Sequence, residues 1–592
     1  MLKIRIAGIE ELFLSSEREF KIERENLVLI YSFSNLPDSS GVLLRVSIRN
    51  EDPSPKKVGK IDLIEIQDVS EPVYYNNWQS WFPFKAYWER PLVDSFVQYA
   101  DSQGISLFAA SPIPELLRKG QRPSDYFIAT DELLVGFVSN QFTHQYFLWD
   151  DETLSIIGSV DLFGTELASG ESIELEEMVI LGNKSLWTML EKYADLIKQS
   201  NEVEFNEFEG IGWCSWYHYF TDITFDELSK NVKLLAEIRD REKIDYRLVQ
   251  LDDGYEKEIG DWLTTNSKFP DLKEIASEIR GKGFKAGLWI APFSASESSR
   301  LFNEHKEWFV KNSDGNPRVA YRNWNKQIFA LDTTNPEVLL HLERLIKTIR
   351  SYGFDYLKID FLFAGAIPGG RFNEFLTPVE AYRSGMQTIR AAAGDDCFIL
   401  GCGAPLLPSV GYVDGMRIGS DTAPEWNGET MDIGVPSARY SLRNAYTRSF
   451  MHRRLWLNDP DTIVLRNCGL TEEEKRVFAL SVGLLDGMML TSDDMSQVGR
   501  DGISLLMEAM QLRGGEPRVF LDGMNGVFAT CTRNAPVYDV TSFVNLTDTP
   551  RHSIRLKKMY QDWSGVIPSV MEVELPPRSI WIEKREARED LE

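Results

Sequence analysis

The sequence predicts a multidomain protein with a central (β/α)8 TIM barrel, flanked by an N-terminal β-sandwich domain and a small C-terminal β-sandwich domain. Its 592 residues are too many for one ordinary core, since domains usually contain roughly 100–200 residues. Strand-like patterns fill both ends of the chain, and between them apolar strands alternate with helical segments, an order typical of a parallel sheet. We place the domains at residues 1–190, 191–513 and 514–592.

The N-terminal part has the pattern of an all-β domain. Residues 41–48 and 172–181 alternate apolar and polar side chains, and Gly, Asn, Asp and Pro separate such runs. No long helical period occurs before Lys184. A helical segment at 184–200 and an acidic connector at 201–209 then lead into the central part.

The central part contains eight candidate strands, which suits a (β/α)8 barrel of about 250 residues. In chain order they are 211–216, 246–251, 285–291, 328–331, 356–360, 398–402, 415–418 and 454–457. Helical patterns such as 336–352 and 378–393 lie between them. Only 12 residues, two of them proline, separate Cys402 from Gly415, so we expect an irregular loop there instead of a crossover helix.

The part that follows the barrel strands begins with two helical runs, at 472–485 and 503–513. From about residue 518 the pattern returns to strands, as at 527–531 and 579–582. These runs predict the small C-terminal β domain.

Composition excludes several classes of protein. A net charge of −26 cannot gain the counterion-release energy that drives nucleic-acid binding. Charges interrupt the N-terminal apolar run, and no stretch approaches the roughly 18 apolar residues of a membrane span. The five cysteines are scattered and odd in number, which implies no disulfide framework. We therefore expect a cytoplasmic protein with reduced thiols that binds neither nucleic acid nor membranes.

Charged residues stand where two candidate barrel strands end, the edge at which barrel active sites lie. Strand alternation places Lys358 and Asp360 on one side of their strand, and Arg417 and Asp421 on one side of theirs. The first pair is either a buried ion pair or a carboxylate kept ionised for attack. Asp421 is either a turn cap or the second carboxylate of a glycosidase, which protonates a leaving oxygen.

The adjacent acids Asp252 and Asp253 follow another candidate strand. Because neighbouring carboxylates repel each other, such a pair suits a ligand with several hydroxyls or a metal, although an Asp-Asp-Gly turn is also common. The six histidines show no metal-ligand spacing, and no phosphate or dinucleotide loop is evident. An oxygen-only Mg²⁺ or Ca²⁺ site built from Asp252, Asp360 and Asp421 is left open.

Aromatic residues concentrate near the same strand ends and in one N-terminal loop. The chain has 15 Trp, and residues 213–220 are unusually rich in aromatics. Trp289 lies at the third candidate strand, and residues 76–81 form a polar and aromatic loop. Core packing explains any one of these, but together they favour a site that stacks against a sugar.

At this point the motifs match a known family. The chain resembles glycoside hydrolase family 36, specifically its bacterial and archaeal α-galactosidases, the melibiases. The segments that carry the resemblance are Asn-Asn-Trp-Gln-Ser-Trp at 76–81, Trp-Cys-Ser-Trp-Tyr-His-Tyr-Phe at 213–220, Asp-Asp-Gly-Tyr at 252–255, Gly-Asp-Trp at 260–262, Tyr-Arg-Asn-Trp-Asn at 321–325, Leu-Lys-Ile-Asp-Phe at 357–361, Gly-Cys-Gly at 401–403, Met-Arg-Ile-Gly-Ser-Asp at 416–421 and Leu-Asn-Asp-Pro-Asp at 457–461.

The resemblance implies a role for each matching position. Asp360 would be the nucleophile and Asp421 the acid/base, in a loop that has Ser420 where the family pattern leads us to expect Pro. The implied binding residues are Asp252 and Asp253 for the galactose O4 and O6 hydroxyls, Lys358 for the O3/O4 side, Arg417 and Cys402 for the O2 side, and Trp78, Trp216, Tyr217 and Trp289 for the pocket lining, with Trp78 reaching in from the N-terminal domain.

The resemblance thus implies a retaining α-galactosidase that releases terminal α-linked galactose from melibiose- or raffinose-type oligosaccharides by double displacement, without a cofactor or metal. It permits a monomer or a homo-oligomer. An α-N-acetylgalactosaminidase and a raffinose-type galactosyltransferase are the nearest alternatives. The pocket around residues 402–404, on the O2 side of the sugar, decides between the galactosidase and the N-acetylgalactosaminidase. More remote alternatives are a metal-dependent barrel lyase or isomerase and a non-catalytic sugar-binding protein.

Overall fold

The computed structural model describes residues 3–6, 9–12, 18–24, 26–86, 120–182, 185–208, 210–427, 436–521, 526–535, 538–551 and 573–586. These residues form an N-terminal antiparallel region, a curled parallel sheet with helices, and a C-terminal antiparallel sheet. No helix in the described ranges is long and apolar enough to cross a membrane.

The N-terminal β region forms two antiparallel sheets. Its strands are β1 (Lys3–Ile6), β2 (Ile9–Leu12), β3 (Arg18–Arg24), β4 (Leu27–Asn35), β5 (Gly41–Asn50), β6 (Lys56–Gln67), β7 (Tyr74–Tyr75), β8 (Lys85–Ala86), β9 (Gln121–Asp125), β10 (Phe127–Ala129), β11 (Leu133–Phe137), β12 (His144–Asp150), β13 (Ser155–Leu167), β14 (Ser172–Glu174) and β15 (Met178–Gly182). One sheet has the order β2-β1-β6-β13-β12-β9 and the other β3-β4-β5-β15-β11-β10-β7-β8, with β14 paired to β5.

Alternation of side chains explains why these segments form strands with one face in a core. In β5, Leu44 and Val46 are buried, while Arg45 between them is exposed. The two sheets meet in this core, where the rings of Phe137 in β11 and Phe147 in β12 lie 5.6 Å apart. Burial of such apolar faces is the main stabilising term for the region.

The central region contains a curled parallel sheet. Its strands are β16 (Ile211–Cys214), β17 (Tyr246–Leu251), β18 (Lys285–Ile290), β22 (Phe354–Ile359), β23 (Phe398–Gly401), β24 (Gly415–Arg417), β25 (Leu457–Asp459), β26 (Thr462–Ile463) and β27 (Leu490–Thr491), and a separate antiparallel sheet holds β19 (Ser294–Ser296), β20 (Val319–Asn323) and β21 (Lys326–Ala330). The parallel order is β25-β24-β23-β22-β18-β17-β16-β27-β26. Only Pro460 and Asp461 separate the two edge strands along the chain, so the sheet curls until its edges approach each other.

Helices follow most strands of this sheet. They are α1 (Leu186–Ser200), α2 (Trp216–Tyr219), α3 (Phe225–Glu242), α4 (Leu272–Gly281), α5 (Arg300–Glu304), α6 (Pro336–Tyr352), α7 (Pro378–Ala393), α8 (Ala438–Thr447), α9 (Glu472–Leu484) and α10 (Arg500–Met510). The limits of α6 follow from local signals: the Asn335 side chain accepts from a first-turn amide, Pro336 starts the helix, and Gly353 ends it at φ +104°.

Two of the eight strands expected for the barrel were placed wrongly. The one expected at 454–457 begins in a turn, and only its last residue belongs to the strand there, Leu457–Asp459. Residues 328–331 fall largely in β21, which pairs antiparallel with β19 and β20 outside the curled sheet. The sheet instead includes β27, which has two residues and no readable sequence pattern. A short apolar run does not show its own pairing partner, because parallel and antiparallel buried strands look alike in sequence. The strand that leads to Asp360 therefore pairs directly with β18.

The loop expected after Cys402 is confirmed, since a 3-10 turn at Leu407–Ser409 replaces a crossover α-helix. The C-terminal sheet has the order β28 (Glu516–Leu521), β29 (Val527–Ala535), β30 (Tyr538–Asn545) and β31 (Ser579–Glu586). It contacts the central region where the Phe528 ring stacks on Tyr446 of α8 at 4.8 Å.

Candidate active site

Asp360 lies directly after β22, and three hydrogen bonds hold its backbone and its carboxyl group in place. Its amide donates to the carbonyl of Ile290 in the neighbouring strand, at 2.9 Å. Its Oδ2 accepts from Trp289 Nε1 at 3.1 Å, and its Oδ1 accepts from the Phe361 amide at 2.7 Å. The carboxyl group is thus fixed by a donor on each oxygen, and only 7% of the residue is exposed. Burial raises the pKa of Asp360, against the effects of Lys358 and Trp289.

Lys358 forms its ion pair with Asp252 instead of with Asp360. Its Nζ lies 3.0 Å from Asp252 Oδ2, and both side chains are buried. The same oxygen accepts from Gln250 Nε2 at 2.6 Å and from Cys214 Sγ at 3.3 Å. Burial alone would lower the pKa of Lys358, but the neighbouring Asp252 holds it well above its ordinary value. The charge of Lys358 still reaches Asp360, where it lowers the carboxyl pKa.

Asp253 is held by a second indole. Trp324 Nε1 donates to Asp253 Oδ2 at 2.7 Å, and Trp324 itself adopts φ +51° at a tight turn between β20 and β21. Burial raises the pKa of Asp253, and the nearby Glu256 carboxyl raises it further. The two adjacent acids therefore have different partners. Asp252 pairs with the Lys358 ammonium, whereas Asp253 accepts from an indole and lies near the Glu256 carboxyl group.

Asp421 sits on a more open side of the site. Its Oδ1 lies 2.9 Å from an Nη of Arg417, and its side chain is 37% exposed. Burial acts to raise the pKa of Asp421, but Arg417 outweighs it and lowers the pKa. The charge of Asp421 in turn raises the pKa of Asp360, so the two carboxyl groups lie close enough for their charges to interact.

Arg417 is also held by Asp461, to which the sequence assigns no site role, and by Tyr217, an expected lining residue. The same Nη lies 2.9 Å from Asp461 Oδ2, and another Nη lies 3.5 Å from the hydroxyl of Tyr217. That hydroxyl donates to Asp461 Oδ2. Asp461 belonged to the segment at 457–461, but nothing in its spacing links it to Arg417.

Cys402 is contacted from the N-terminal β region by Trp81. Trp81 Nε1 donates to the Cys402 sulfur at 3.3 Å, and the Trp81 ring packs edge-to-face on Phe361 at 5.1 Å. A Cβ added at Gly403, which has φ +52°, would lie 2.7 Å from the Trp81 ring. Burial raises the pKa of the Cys402 thiol well above its ordinary value.

The remaining expected lining residues have varied surroundings. Trp78 is buried, and its carbonyl accepts from the Leu406 amide at 3.0 Å, so its backbone touches the curled sheet's loops. Trp216 is half-buried and packs edge-to-face on Phe220 at 5.2 Å. Tyr217, Trp289, Lys358, Asp252, Asp253, Cys402 and Arg417 all lie within the contacts described above. The pocket role of Trp78 and Trp216 stays a prediction.

Four residues near the site have no role indicated by the sequence: Trp81, Trp324, Glu256 and Asp461. The first two and Asp461 lay inside matching motifs, so the motifs themselves were the available signal. Glu256 follows the Asp-Asp-Gly-Tyr segment by one residue. Across the described residues, no group of three or more His, Cys, Asp or Glu side chains is arranged to hold a metal ion.

The chain is similar to known proteins over parts of its length. A family model described as the N-terminal part of alpha-galactosidase matches residues 53–182, and one described as melibiase matches residues 176–363. The second match ends three residues after Asp360, so Arg417 and Asp421 lie outside it. Alpha-galactosidase 1 of Pediococcus pentosaceus is 24% identical over 232 residues, which are 36% of this chain and 30% of that protein. The match therefore spans less than a third of that curated relative.

Solved structures match over much more of the chain. An α-galactosidase from Thermus thermophilus in complex with p-nitrophenyl α-D-galactopyranoside is 25% identical, with a TM-score of 0.62, over 87% of this chain and 98% of that one. The same enzyme has also been solved with stachyose, with a TM-score of 0.61, 25% identity, and coverage of 84% of this chain and 100% of that one. The GH36 α-galactosidase AgaA of Geobacillus stearothermophilus, at 13% identity, shares the fold with a TM-score of 0.61 over 98% of this chain and 89% of that one. The chain therefore resembles the α-galactosidases of glycoside hydrolase family 36, and it shares the fold of their solved structures.

Proposed function

We propose that this protein is a retaining α-galactosidase that hydrolyses terminal α-linked galactose by double displacement. The observation that carries the proposal is that Asp360 and Asp421 follow two strands of the same curled parallel sheet at their carboxyl ends, where the charge of Asp421 raises the pKa of Asp360. Asp360 is buried and fixed by donors on both oxygens, whereas Asp421 is 37% exposed and can meet a leaving group. A retaining glycosidase needs such a pair about 5–5.5 Å apart.

In the first step, an Asp360 oxygen attacks the anomeric carbon while Asp421 gives its proton to the departing glycosidic oxygen. The product is a β-galactosyl ester of Asp360 and a free alcohol. In the second step, Asp421, now a carboxylate, takes a proton from water, and that water attacks the same carbon. The ester breaks, Asp360 is regenerated as a carboxylate, and galactose leaves with its α configuration.

The mechanism requires an ionised Asp360 and a protonated Asp421. In this structure burial raises the pKa of Asp360 and Arg417 lowers that of Asp421, which is the reverse of the required order. A bound glycoside would cover the exposed face of Asp421 and exclude water from it. Loss of hydration disfavours the charged form of a carboxyl group and so raises its pKa. Substrate binding thus moves Asp421 toward the form that the first step needs.

Recognition of galactose is assigned to the buried charged residues beside this pair. Asp252 and Asp253 would accept from the O4 and O6 hydroxyls, with Lys358 on the O3/O4 side. The indoles of Trp289 and Trp324 would supply apolar surface while their N–H groups hold Asp360 and Asp253 in place. Cys402 and Arg417 would face O2.

For the architecture, we propose that the curled sheet and its helices form the (β/α)8 barrel at 191–513. The domains at 1–190 and 514–592 would be β-sandwiches on either side of it. The substrate class is a galactose-terminated oligosaccharide of the melibiose or raffinose type. Relatives solved with a nitrophenyl galactoside and with stachyose support this assignment.

The test is a panel of α-glycosides assayed with the wild type and with Asp360→Ala. We expect hydrolysis of p-nitrophenyl α-galactoside, a loss of at least 1,000-fold or so in Asp360→Ala, and partial rescue by azide that yields β-galactosyl azide. Asp355→Ala is the matched control, since Asp355 lies on the same strand but pairs with Arg280 and Arg350 at its other end. Near-normal turnover by Asp360→Ala would end the proposal.

The same panel separates the alternatives. Faster hydrolysis of the α-N-acetylgalactosaminide would favour the aminidase, and galactosyl transfer to added sugar at the expense of hydrolysis would favour the transferase. Loss of activity on EDTA treatment would favour a metal-dependent enzyme. Binding of galactose without turnover of any glycoside would leave a sugar-binding protein.

A further inference from the structure

Arg417 is shared by two carboxylates through one nitrogen. The same Nη lies 2.9 Å from Asp421 Oδ1 and 2.9 Å from Asp461 Oδ2. The two acids differ in setting, since the Asp421 side chain is 37% exposed and that of Asp461 only 4%. One positive charge thus faces two carboxyl groups, of which only the outer one can meet a substrate.

Several hydrogen bonds fix the position of Asp461. Its Oδ2 also accepts from the Thr422 amide at 2.7 Å and from the Tyr217 hydroxyl, and its own amide donates to Asp459 Oδ1 at 2.8 Å. Its backbone has φ +78°, a left-handed conformation that a non-glycine residue rarely adopts. Thr422 directly follows Asp421, so Asp461 holds the loop that carries the proposed acid.

We propose that Asp461 and Asp421 act as one carboxylate pair across Arg417 and bind a single proton between them, which makes Asp461 a positioning residue for the acid step. This inference rests on the proposed function of Asp421.

The electrostatic reason is that a proton binds more readily to a pair with two negative charges than to one carboxylate beside the same guanidinium. Burial, together with the charges of Asp421 and Asp459, raises the pKa of Asp461 to about 7 against the opposing effect of Arg417. Because the two carboxyl groups share one guanidinium nitrogen, the first proton belongs to the pair, whichever oxygen holds it. Without Asp461, Arg417 would act on Asp421 alone and keep it ionised to lower pH.

The charged and titratable groups that face this pair are few. Lys358 reaches it from β22, Tyr217 from α2, Asp360 from the end of β22 and the Cys402 thiol from the end of β23. Asp459, from β25, is buried and its pKa is raised. None of these groups is removed in the variants below, so a shift in the pH profile reports the loss of the Asp461 carboxyl group.

The test is the pH dependence of kcat/KM, which reports groups of the free enzyme. The wild type should lose activity on the basic side as the pair gives up this proton, at a pH above the ordinary carboxyl range because Asp461 is buried. In Asp461→Asn this limb should move to lower pH by about one to two units. Asn tolerates positive φ, and Asp461→Gly, which suits φ +78° even better, should shift the limb in the same direction.

The leaving group provides a second readout that a purely structural defect would not move. At pH 7 Asp461→Asn should lose about tenfold or more in kcat/KM on methyl α-galactoside, whose alcohol needs a proton to depart. On 2,4-dinitrophenyl α-galactoside it should stay within about threefold of the wild type. Asp414→Asn is the matched control, because Asp414 is an equally buried acid paired with Arg390 at the other end of the strand that carries Arg417.

The outcomes separate the two proposals. If Asp421→Ala shows the leaving-group dependence but the basic limb is unmoved in Asp461→Asn and Asp461→Gly, the carboxylate pair is wrong and the acid role of Asp421 stands. If Asp421→Ala shows no such dependence, the acid role fails and the pair fails with it. A wild-type basic limb below about pH 5 would also overturn the pair, and this measurement needs no variant.

Discussion

Trp81 donates from its indole Nε1 to the sulfur of Cys402 across 3.3 Å, although the two residues are 321 positions apart in the chain. The loop that carries Trp81 is tied to the same place by its backbone, since the Ser80 amide donates to the Ala404 carbonyl at 2.9 Å. A loop of the N-terminal β region therefore forms one wall of the site beside the β23 end. The N-terminal region thus contacts Cys402, a residue of the proposed sugar pocket.

The contact between Trp81 and Gly403 predicts a measurable coupling. Gly403→Ala should destabilise the protein by about 2 kcal/mol or more, because its Cβ would press on the Trp81 ring and φ +52° disfavours alanine. In a Trp81→Ala background the steric part should disappear, so the same change should cost less. Urea denaturation of the two single variants and the double variant measures the coupling energy. Additive effects would show that the ring does not crowd Gly403.

Arg448 links the same loop to the strand before Asp421 and gives a second prediction. Its buried guanidinium donates to Ser80 O at 2.7 Å, Ile418 O at 2.9 Å and Asn76 Oδ1 at 3.0 Å. Arg448→Met would leave these acceptors unpaired, so we expect a loss of about 2–4 kcal/mol in the free energy of unfolding. We also expect a lower kcat, because the 418–421 segment loses an anchor.

The control for Arg448 is Arg439→Met. Arg439 is half-exposed and its ion pair with Asp548 is 3.7 Å long, so this change should cost well under about 1 kcal/mol. Urea midpoints and kcat on an aryl galactoside, measured on both variants, decide the matter. Equal stability of Arg448→Met and the wild type would contradict the anchoring role.

Sequence signals succeeded where they are local. The limits of α6 and α7 were predicted at 336–352 and 378–393, because each helix starts with a capping side chain followed by proline. Strand ends such as Asp360 and Cys402 were likewise readable as apolar runs that stop at polar residues. These features depend on neighbours within a few positions, which the sequence displays directly.

Sequence signals failed where the deciding partner is distant. The pairing of Lys358 with Asp252 in place of Asp360 depends on the register of β17 and β22 across β18. The two residues of β27 became a strand only through their neighbours β16 and β26. The sharing of Arg417 with Asp461 joins the ends of two different strands. Such choices belong to tertiary packing, which overrides local pattern.

The bond from Trp289 to Asp360 predicts a shift in the acidic limb of the pH profile. The indole N–H stabilises the carboxylate and so lowers the Asp360 pKa. Trp289→Phe removes this donor, so the Asp360 pKa should rise. Because the nucleophile must be ionised, the acidic limb of kcat/KM should move to higher pH by about half to one unit.

The matched control for Trp289 is Trp149→Phe. Trp149 is an equally buried tryptophan of β12, and its Nε1 has no hydrogen-bond partner among the described residues. This variant should leave both limbs of the profile in place. A profile of Trp289→Phe that overlays the wild type would show that the indole does not tune the nucleophile.

The surroundings of Asp494, which lies outside the proposed active site, predict that part of the free energy of unfolding is lost in acid. Burial acts to raise its pKa, but the Ser496 hydroxyl and amide and the Lys230 ammonium outweigh this and hold the pKa at about 2. An unfolded Asp titrates near about pH 4. The folded pKa is the lower one, so this stabilisation is fully present above about pH 4 and is lost as the pH falls toward 2.

Asp494→Asn should therefore lower the free energy of unfolding by about 1–2 kcal/mol at pH 6, since exposure of Lys230 weakens the pair. The difference from the wild type should shrink toward zero near pH 2. Denaturant titrations at several pH values measure it, with the exposed Asp314→Asn as a control that should follow the wild type throughout. A constant difference at every pH would mean that the substituted amide disturbs packing, whereas no difference at pH 6 would mean that the Ser496 and Lys230 contacts contribute nothing net.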